Sequence, residues 1–148
     1  MKKFLLSLCT ATFLFSAANA EVIGTVDFDK IINNYAKVKT VTNEISDKYA
    51  EMQRYSLDKD REYKRLTTPL ERKNFQEATM KELARKEEAY LRLKEKKESE
   101  IDAEIRNTIK QVAINNKIDT VVEKSVTFFG GVDITDKVIK QLNTPGVK

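Results

Sequence analysis

Residues 64–73 read KRLTTPLERK. Proline restricts the residue before it and suits the first turn of a new helix, so one helix ends near Leu66 and another begins near Pro69. No other breaker lies nearby. Between Gly24 and Gly130 there is no glycine, and Pro69 is the only proline. Residues 51–100 hold 26 charged side chains, 14 basic and 12 acidic, in a background rich in Leu and Ala. That composition favours long helices. Pairs such as Glu44–Lys48, Asp60–Lys64, Glu77–Lys81, Glu82–Lys86 and Glu88–Arg92 have the favourable i,i+4 order, each contributing a few tenths of a kcal/mol. The first helix runs from about Phe28 to Leu66, roughly 58 Å at 1.5 Å per residue, and the second to about Asn115, roughly 70 Å. Two long helices around one short break predict an antiparallel hairpin over residues 28–116, with its tip near 67–69.

A seven-residue repeat sets the expected seam. In the first helix Tyr35, Thr42, Tyr49, Ser56 and Tyr63 share one row, and Val38, Ile45, Met52, Lys59 and Leu66 the other. In the second, Leu70, Glu77, Ala84, Leu91, Glu98, Ile105 and Val112 share a row, with Lys73, Met80, Glu87, Lys94 and Ile101 in its companion. The seam is apolar towards the chain ends and diluted by charge towards Pro69, so the distal part should bend more easily.

The flanking pieces read differently. Val22-Ile23-Gly24-Thr25-Val26 is a strand, with Asp27 or Asp29 placed to cap the next helix. Thr120–Val122 and Val126–Phe129 read as two further strands, followed by a Gly130-Gly131 turn. Asp133 or Thr135 then caps a short amphipathic helix through Val138, Ile139 and Leu142, and Pro145-Gly146 marks a frayed tail. The fold class is α+β, mostly α. Residues 21–27 and 117–148 form a small β-rich body of about 40 residues, near the size at which a fold lacking disulfide and metal needs a partner. Self-association is the remaining staple, and Val22, Val26, Val121, Val126, Phe128 and Ile134 are its candidate residues.

Residues 1–20 carry Lys2 and Lys3, an apolar run from Phe4 to Phe15 and a small-x-small site at Ala18-Asn19-Ala20. This is the pattern of a secretory signal peptide cleaved after Ala20, the run being too short to span a bilayer. The remaining 128 residues contain no cysteine, and the exported chain folds without disulfides. Of 148 residues, 34% are charged, 8% are aromatic and none is His or Trp. Those counts leave no ligand set for zinc and no His-based triad. The whole chain carries a formal charge of +4. Losing Lys2 and Lys3 leaves 25 basic against 23 acidic side chains, about +2. Export with so small a surplus argues against a nucleic-acid surface and leaves an anionic membrane or an anionic client open.

No phosphate-binding loop is present, which argues against work driven directly by ATP. Asp27/Asp29, Asp58/Asp60 and Asp133/Asp136 lack a calcium-loop context and read as caps or solvated faces rather than an acid–base or metal site. No constellation supports an enzyme or a cofactor. Residues 59–73 hold six basic and three acidic side chains. Lys64, Arg65, Arg72 and Lys73 thus form either a basic tip for acidic clients and anionic lipid or a solvated charged turn. Tyr55, Leu57, Phe75, Leu83, Tyr90 and Leu93 fall outside the heptad rows. With Met52 and Met80 they are candidate client contacts; otherwise the register drifts and they pack between the helices.

VIGTVDFDKII (residues 22–32) and GGVDITDKVIKQLN (residues 130–143) together resemble the Skp/OmpH family of periplasmic chaperones, and the likeness extends over about residues 21–143. The resemblance implies a homotrimer whose strands build a shared β-body, with three helical hairpins projecting around a cavity. It further implies a periplasmic, ATP-independent holdase for unfolded outer-membrane β-barrel proteins, with no catalytic motif. The rival from another class is an envelope spacer that uses its basic tips on anionic lipid or lipopolysaccharide.

Overall fold

The structure is a computed structural model that describes residues 21–145. The signal-peptide reading and Gly146 lie outside the described residues. The order is strand β1 (Ile23–Val26), helix α1 (Phe28–Asn34), helix α2 (Ala36–Tyr63), helix α3 (Pro69–Asn115), strand β2 (Thr120–Glu123), a 3-10 turn (Lys124–Val126), strand β3 (Val132–Asp133) and helix α4 (Thr135–Leu142).

The helix starts follow from local chemistry. Asp27 Oδ1 accepts from the Lys30 N–H at 2.8 Å and caps α1. At α3 the Thr68 hydroxyl accepts from the Glu71 N–H at 3.3 Å, while the Glu71 carboxylate accepts from the Thr68 N–H at 3.2 Å. This capping box, with Pro69 in the first turn, starts α3 where the sequence placed it. Asp133 Oδ1 accepts from the Thr135 N–H at 2.9 Å. The Thr135 hydroxyl accepts instead from the Asp27 N–H at 3.0 Å, tying the start of α4 to the end of β1.

Two expectations need correction. The first long helix is interrupted at Tyr35, whose backbone is extended (φ −86°, ψ 111°). Asn143 makes the break tolerable: its amide donates to the Asn34 carbonyl at 2.9 Å and accepts from the Ala36 N–H at 2.9 Å. One side chain thus satisfies two groups that a continuous helix would pair. Secondly, Val126–Phe129 is not a strand. The chain coils through a 3-10 turn, and the third strand is Val132–Asp133. β-propensity is strongly context-dependent; both sides of β1 are taken by β2 and β3, and Val126–Phe129 turns away without pairing with either outer strand. The sheet order is β2-β1-β3 and both pairings are parallel, with Gly24 opposite Val121 on one side and Val132 on the other.

The core joins Val26, Ile31, Ile105, Val112, Ile118, Ile134 and Val138 with the base of the long helices at Tyr35, Val41 and Ile101. It therefore takes in α1 and the last part of α3, which the sequence reading counted with the helical arm. Among the described residues every buried side-chain polar atom has a partner.

Candidate assembly and client-binding surfaces

α2 and α3 run antiparallel, since partners fall along α3 as they climb along α2. Glu44 meets Lys97 at 2.8 Å, Glu51 meets Lys86 at 3.4 Å, and the Tyr49 and Tyr90 rings lie 5.6 Å apart. Nearer Pro69 the Tyr63 and Phe75 rings lie 6.4 Å apart. Lys59 stands 5.6 Å from the Tyr55 ring and 5.5 Å from that of Phe75, and Lys86 lies 5.0 Å from Tyr55. The seam is thus built from aromatic rings with ammonium groups laid over them. Lys97 is held above the ordinary lysine value by its hydrogen bond to Glu44. Glu51 is held below the ordinary carboxylate value, chiefly by Lys48 and then by Lys86.

The heptad rows describe α3 wrongly. Between Phe75 and Ile101 its shielded positions are Phe75, Thr79, Glu82, Leu83, Lys86, Tyr90, Leu93, Lys97, Glu100 and Ile101. Phe75, Lys86 and Lys97 are eleven apart, as are Thr79, Tyr90 and Ile101. An eleven-residue repeat advances about 3.67 residues per turn, slightly more than the 3.6 of a straight helix, so its contact line drifts little and in the right-handed sense, opposite to that of a heptad seam. Leu70, Glu77, Ala84, Leu91 and Glu98 are exposed, and their row reaches the core only at Ile105 and Val112. In α2 the row through Val38, Ile45, Met52, Lys59 and Leu66 is shielded as expected. Its companion is Val41, Lys48 and Tyr55, since Thr42, Tyr49 and Ser56 are exposed.

The candidate client contacts therefore divide. Met52, Tyr55, Phe75, Leu83, Tyr90 and Leu93 are half-buried. Only Leu57 and Met80 are open, at 59% and 63% of full exposure. Leu70 and Leu91 are also exposed on α3. Their row had been assigned to the seam, and recognising the eleven-residue period would have freed them.

All four candidate tip residues, Lys64, Arg65, Arg72 and Lys73, are exposed. Lys64 pairs with Asp60 at 2.5 Å and Lys73 with Glu77 at 4.0 Å. Arg72 donates to the Leu66 carbonyl at 3.0 Å and lies 5.9 Å from the Tyr63 ring, closing the turn.

Of the candidate assembly residues, Val26 and Ile134 are spent on the chain's own core and Val121 is half-buried. Val22, Val126 and Phe128 are exposed, and Ile23, Phe129 and Val132 join them. Lys124 meets Asp133 at 2.7 Å across the base of the loop between β2 and β3. Hydrogen bonds from Lys124 and then from Thr135 hold the Asp133 carboxyl far below the ordinary range. Among the described residues no group of His, Cys, Asp or Glu could hold a metal ion, and no helix is long and apolar enough to cross a membrane.

A short parallel sheet carrying a long antiparallel helix pair is the class of fold that these contacts define. The family model for outer membrane proteins of the OmpH-like type matches residues 22–142, and the chain belongs to that family. No curated protein matches the chain. Among solved structures, an OmpH-like candidate outer membrane chaperone from Caulobacter crescentus CB15 is 16% identical, with 83% of this chain and 84% of that chain covered and a TM-score of 0.39. At that score the structural likeness carries no argument, and membership rests on the family model.

Proposed function

We propose that the protein is a periplasmic, ATP-independent holdase that keeps unfolded outer-membrane β-barrel proteins from aggregating before they insert. The observation that carries this reading is membership of the OmpH-like family over residues 22–142. In the proposed organisation, residues 21–27 and 117–148 anchor a homotrimer, and residues 28–116 of each chain form one of three arms around a cavity. The exposed Val126, Phe128 and Phe129 support self-association, because so much aromatic surface in water favours a partner. The lysine-bearing seam supports arms that adapt to clients of different size, since half-shielded charges bury little apolar area. Clients are held by many weak contacts, those of Leu57, Leu70, Met80 and Leu91 among them, and three arms acting together raise the effective affinity.

Diluting a urea-unfolded porin into nucleotide-free buffer tests the reading by light scattering. Suppression saturating near three chains per client is expected. Deleting residues 56–80 leaves residues 81–85 to turn between Tyr55 and Lys86, and should spare the trimer while abolishing protection. A shortened trimer that still protects porin overturns the cavity reading. Binding to lipopolysaccharide vesicles without any protection would favour an envelope spacer instead.

A further inference from the structure

A helix that starts or stops by its own sequence carries local signals for it. α1 opens on the Asp27 cap, and α3 opens on the Thr68–Glu71 box with Pro69 in its first turn. The junction of α1 and α2 carries no such signal. Between Gly24 and Pro69 there is no glycine or proline. Tyr35 holds the cap position of α2 yet makes no side-chain cap bond. α2 has no acidic residue in its first turn, and α1 has no basic residue in its last. By local preference the chain from Phe28 to Tyr63 is one helix.

Tertiary contacts break it instead. The Tyr35 ring is buried, at 8% of full exposure, and its hydroxyl donates to Glu104 on α3 at 2.6 Å. Its backbone is extended there (φ −86°, ψ 111°). A continuous helix would bond the Ala36 N–H to the Ile32 carbonyl and the Val38 N–H to the Asn34 carbonyl. The Val38 N–H donates instead to the Tyr35 carbonyl at 3.0 Å. The other two freed groups go to one side chain from the far end of the chain. Asn143 Nδ2 donates to the Asn34 carbonyl, and Asn143 Oδ1 accepts from the Ala36 N–H, both at 2.9 Å. Asn143 is exposed and follows the last residue of α4. The buried residues of α4, Thr135 and Val138, lie more than a turn back, so the amide can withdraw while they stay in the core.

We propose that the α1–α2 junction is a two-state joint and that Asn143 is its latch. With the amide in place the chain bends at Tyr35. With it withdrawn, local preference draws Tyr35 into helical geometry and joins α1 to α2. α3 runs unbroken from Pro69 into the core, so straightening the other leg moves α2 against α3. The end of α4 thereby sets how the helix pair sits on the sheet, across more than a hundred residues of sequence. The joint belongs to a single chain and stands apart from the holdase and trimer readings.

Tyrosine labelled with ¹³C at Cα reads the joint in a chain that has five tyrosines, since the Cα shift separates extended from helical backbone. Tyr35→Phe assigns the signal by deleting it. The wild type is expected to show Tyr35 extended. Asn143→Ala removes both bonds from an exposed position, and the Tyr35 signal is expected to move towards the helical value. Asn143→Asp keeps the acceptor for Ala36 and loses the donor, so its shift should fall between the two. Ala36→Pro separates a latch from a merely structural contact. Proline suits the first position of α2, disfavours helical geometry in the residue before it and breaks a continuous helix. The Ala36→Pro/Asn143→Ala variant is therefore expected to match Ala36→Pro alone. A Tyr35 signal unmoved by Asn143→Ala, in a chain that circular dichroism shows to be folded, overturns the joint. A double variant whose Tyr35 signal lies nearer the helical value than that of Ala36→Pro alone overturns it too. Asn143→Asp, which retains the cap on α2, carries the same comparison if Asn143→Ala does not fold.

Discussion

The Tyr35 hydroxyl donates to Glu104 Oε2 at 2.6 Å, joining the break between α1 and α2 to a residue 69 positions along the chain. Lys37 donates to the other oxygen of the same carboxylate. Burial, and then the bond to Glu104, push the Tyr35 hydroxyl well above its ordinary range, so it stays a neutral donor. Burial alone would raise Glu104, yet the donations from Lys37 and Tyr35 hold it below its ordinary value. The three side chains fix the point where the helix pair leaves the core.

Tyr35→Phe keeps the buried ring and removes only the donor. The carboxylate retains Lys37, so the expected cost is about 1.5 kcal/mol, the lower end of the range for a hydrogen bond to a charged group. Urea unfolding followed by circular dichroism measures it. An unchanged midpoint would mean that water replaces the hydroxyl without loss.

The seam lysines can be replaced by apolar residues. Lys59, Lys86 and Lys97 are mostly shielded between the helices. Exchanging a shielded ion for an apolar side chain of similar size is often neutral or stabilising. Leucine at all three positions is expected to slow amide exchange across residues 50–95, read by mass spectrometry, and to raise the melting temperature. Under the holdase reading the same variant protects porin less well. Faster exchange would show that the cation–ring contacts stabilise the seam more than leucine packing does.

The α3 boundaries, the cap at Asp27 and the turn at Pro69 were legible because proline, caps and missing glycines act within a few residues. The break at Tyr35 was not, because it depends on Asn143, more than a hundred positions away. The seam of α3 was misread because Leu70, Ala84 and Leu91 mimic a heptad, while the true contact line includes Lys86 and Lys97, which a search for apolar rows passes over. The exposed Phe128 and Phe129 were placed in a strand because their composition favours one. Whether a strand forms depends on the path by which the chain meets a partner strand, and that is settled by topology.

Asp133 makes the base of the loop acid-sensitive. Its carboxyl, held well below the ordinary 3.8, binds fewer protons in the folded chain than in the unfolded one. The contribution is therefore full above about pH 4 and declines as the pH falls below that. Asp133→Asn removes the charge that Lys124 pairs with. It is expected to lower the melting temperature at pH 7 by about 2–4 °C, a modest amount because the pair is half-exposed. It should also flatten the wild type's decline below pH 4. Parallel melting curves from pH 7 down to pH 2.5 for the two proteins would show it, and identical slopes in acid would rule out Asp133 as the sensor.

Lys117 occupies the left-handed position that ends α3, at φ +56°. The Ile118 N–H donates to the Ala113 carbonyl at 3.0 Å and the Lys117 N–H to the Ile114 carbonyl at 3.1 Å, the two bonds of a Schellman motif. Buried Ile118 and Ala113 supply its apolar contact. Glycine usually fills this place because a Cβ costs roughly 1–2 kcal/mol there. Lys117→Gly relieves that cost and gives back about 0.4–1 kcal/mol through a freer unfolded chain. A net gain of about 0.5–1 kcal/mol is expected, visible as a higher urea midpoint with an unchanged slope. The gain should be largest at the base of the helix pair, where exchange at Ile118 and Asp119 slows. A loss of stability would mean that the lysine side chain contributes more at this turn than its backbone strain removes.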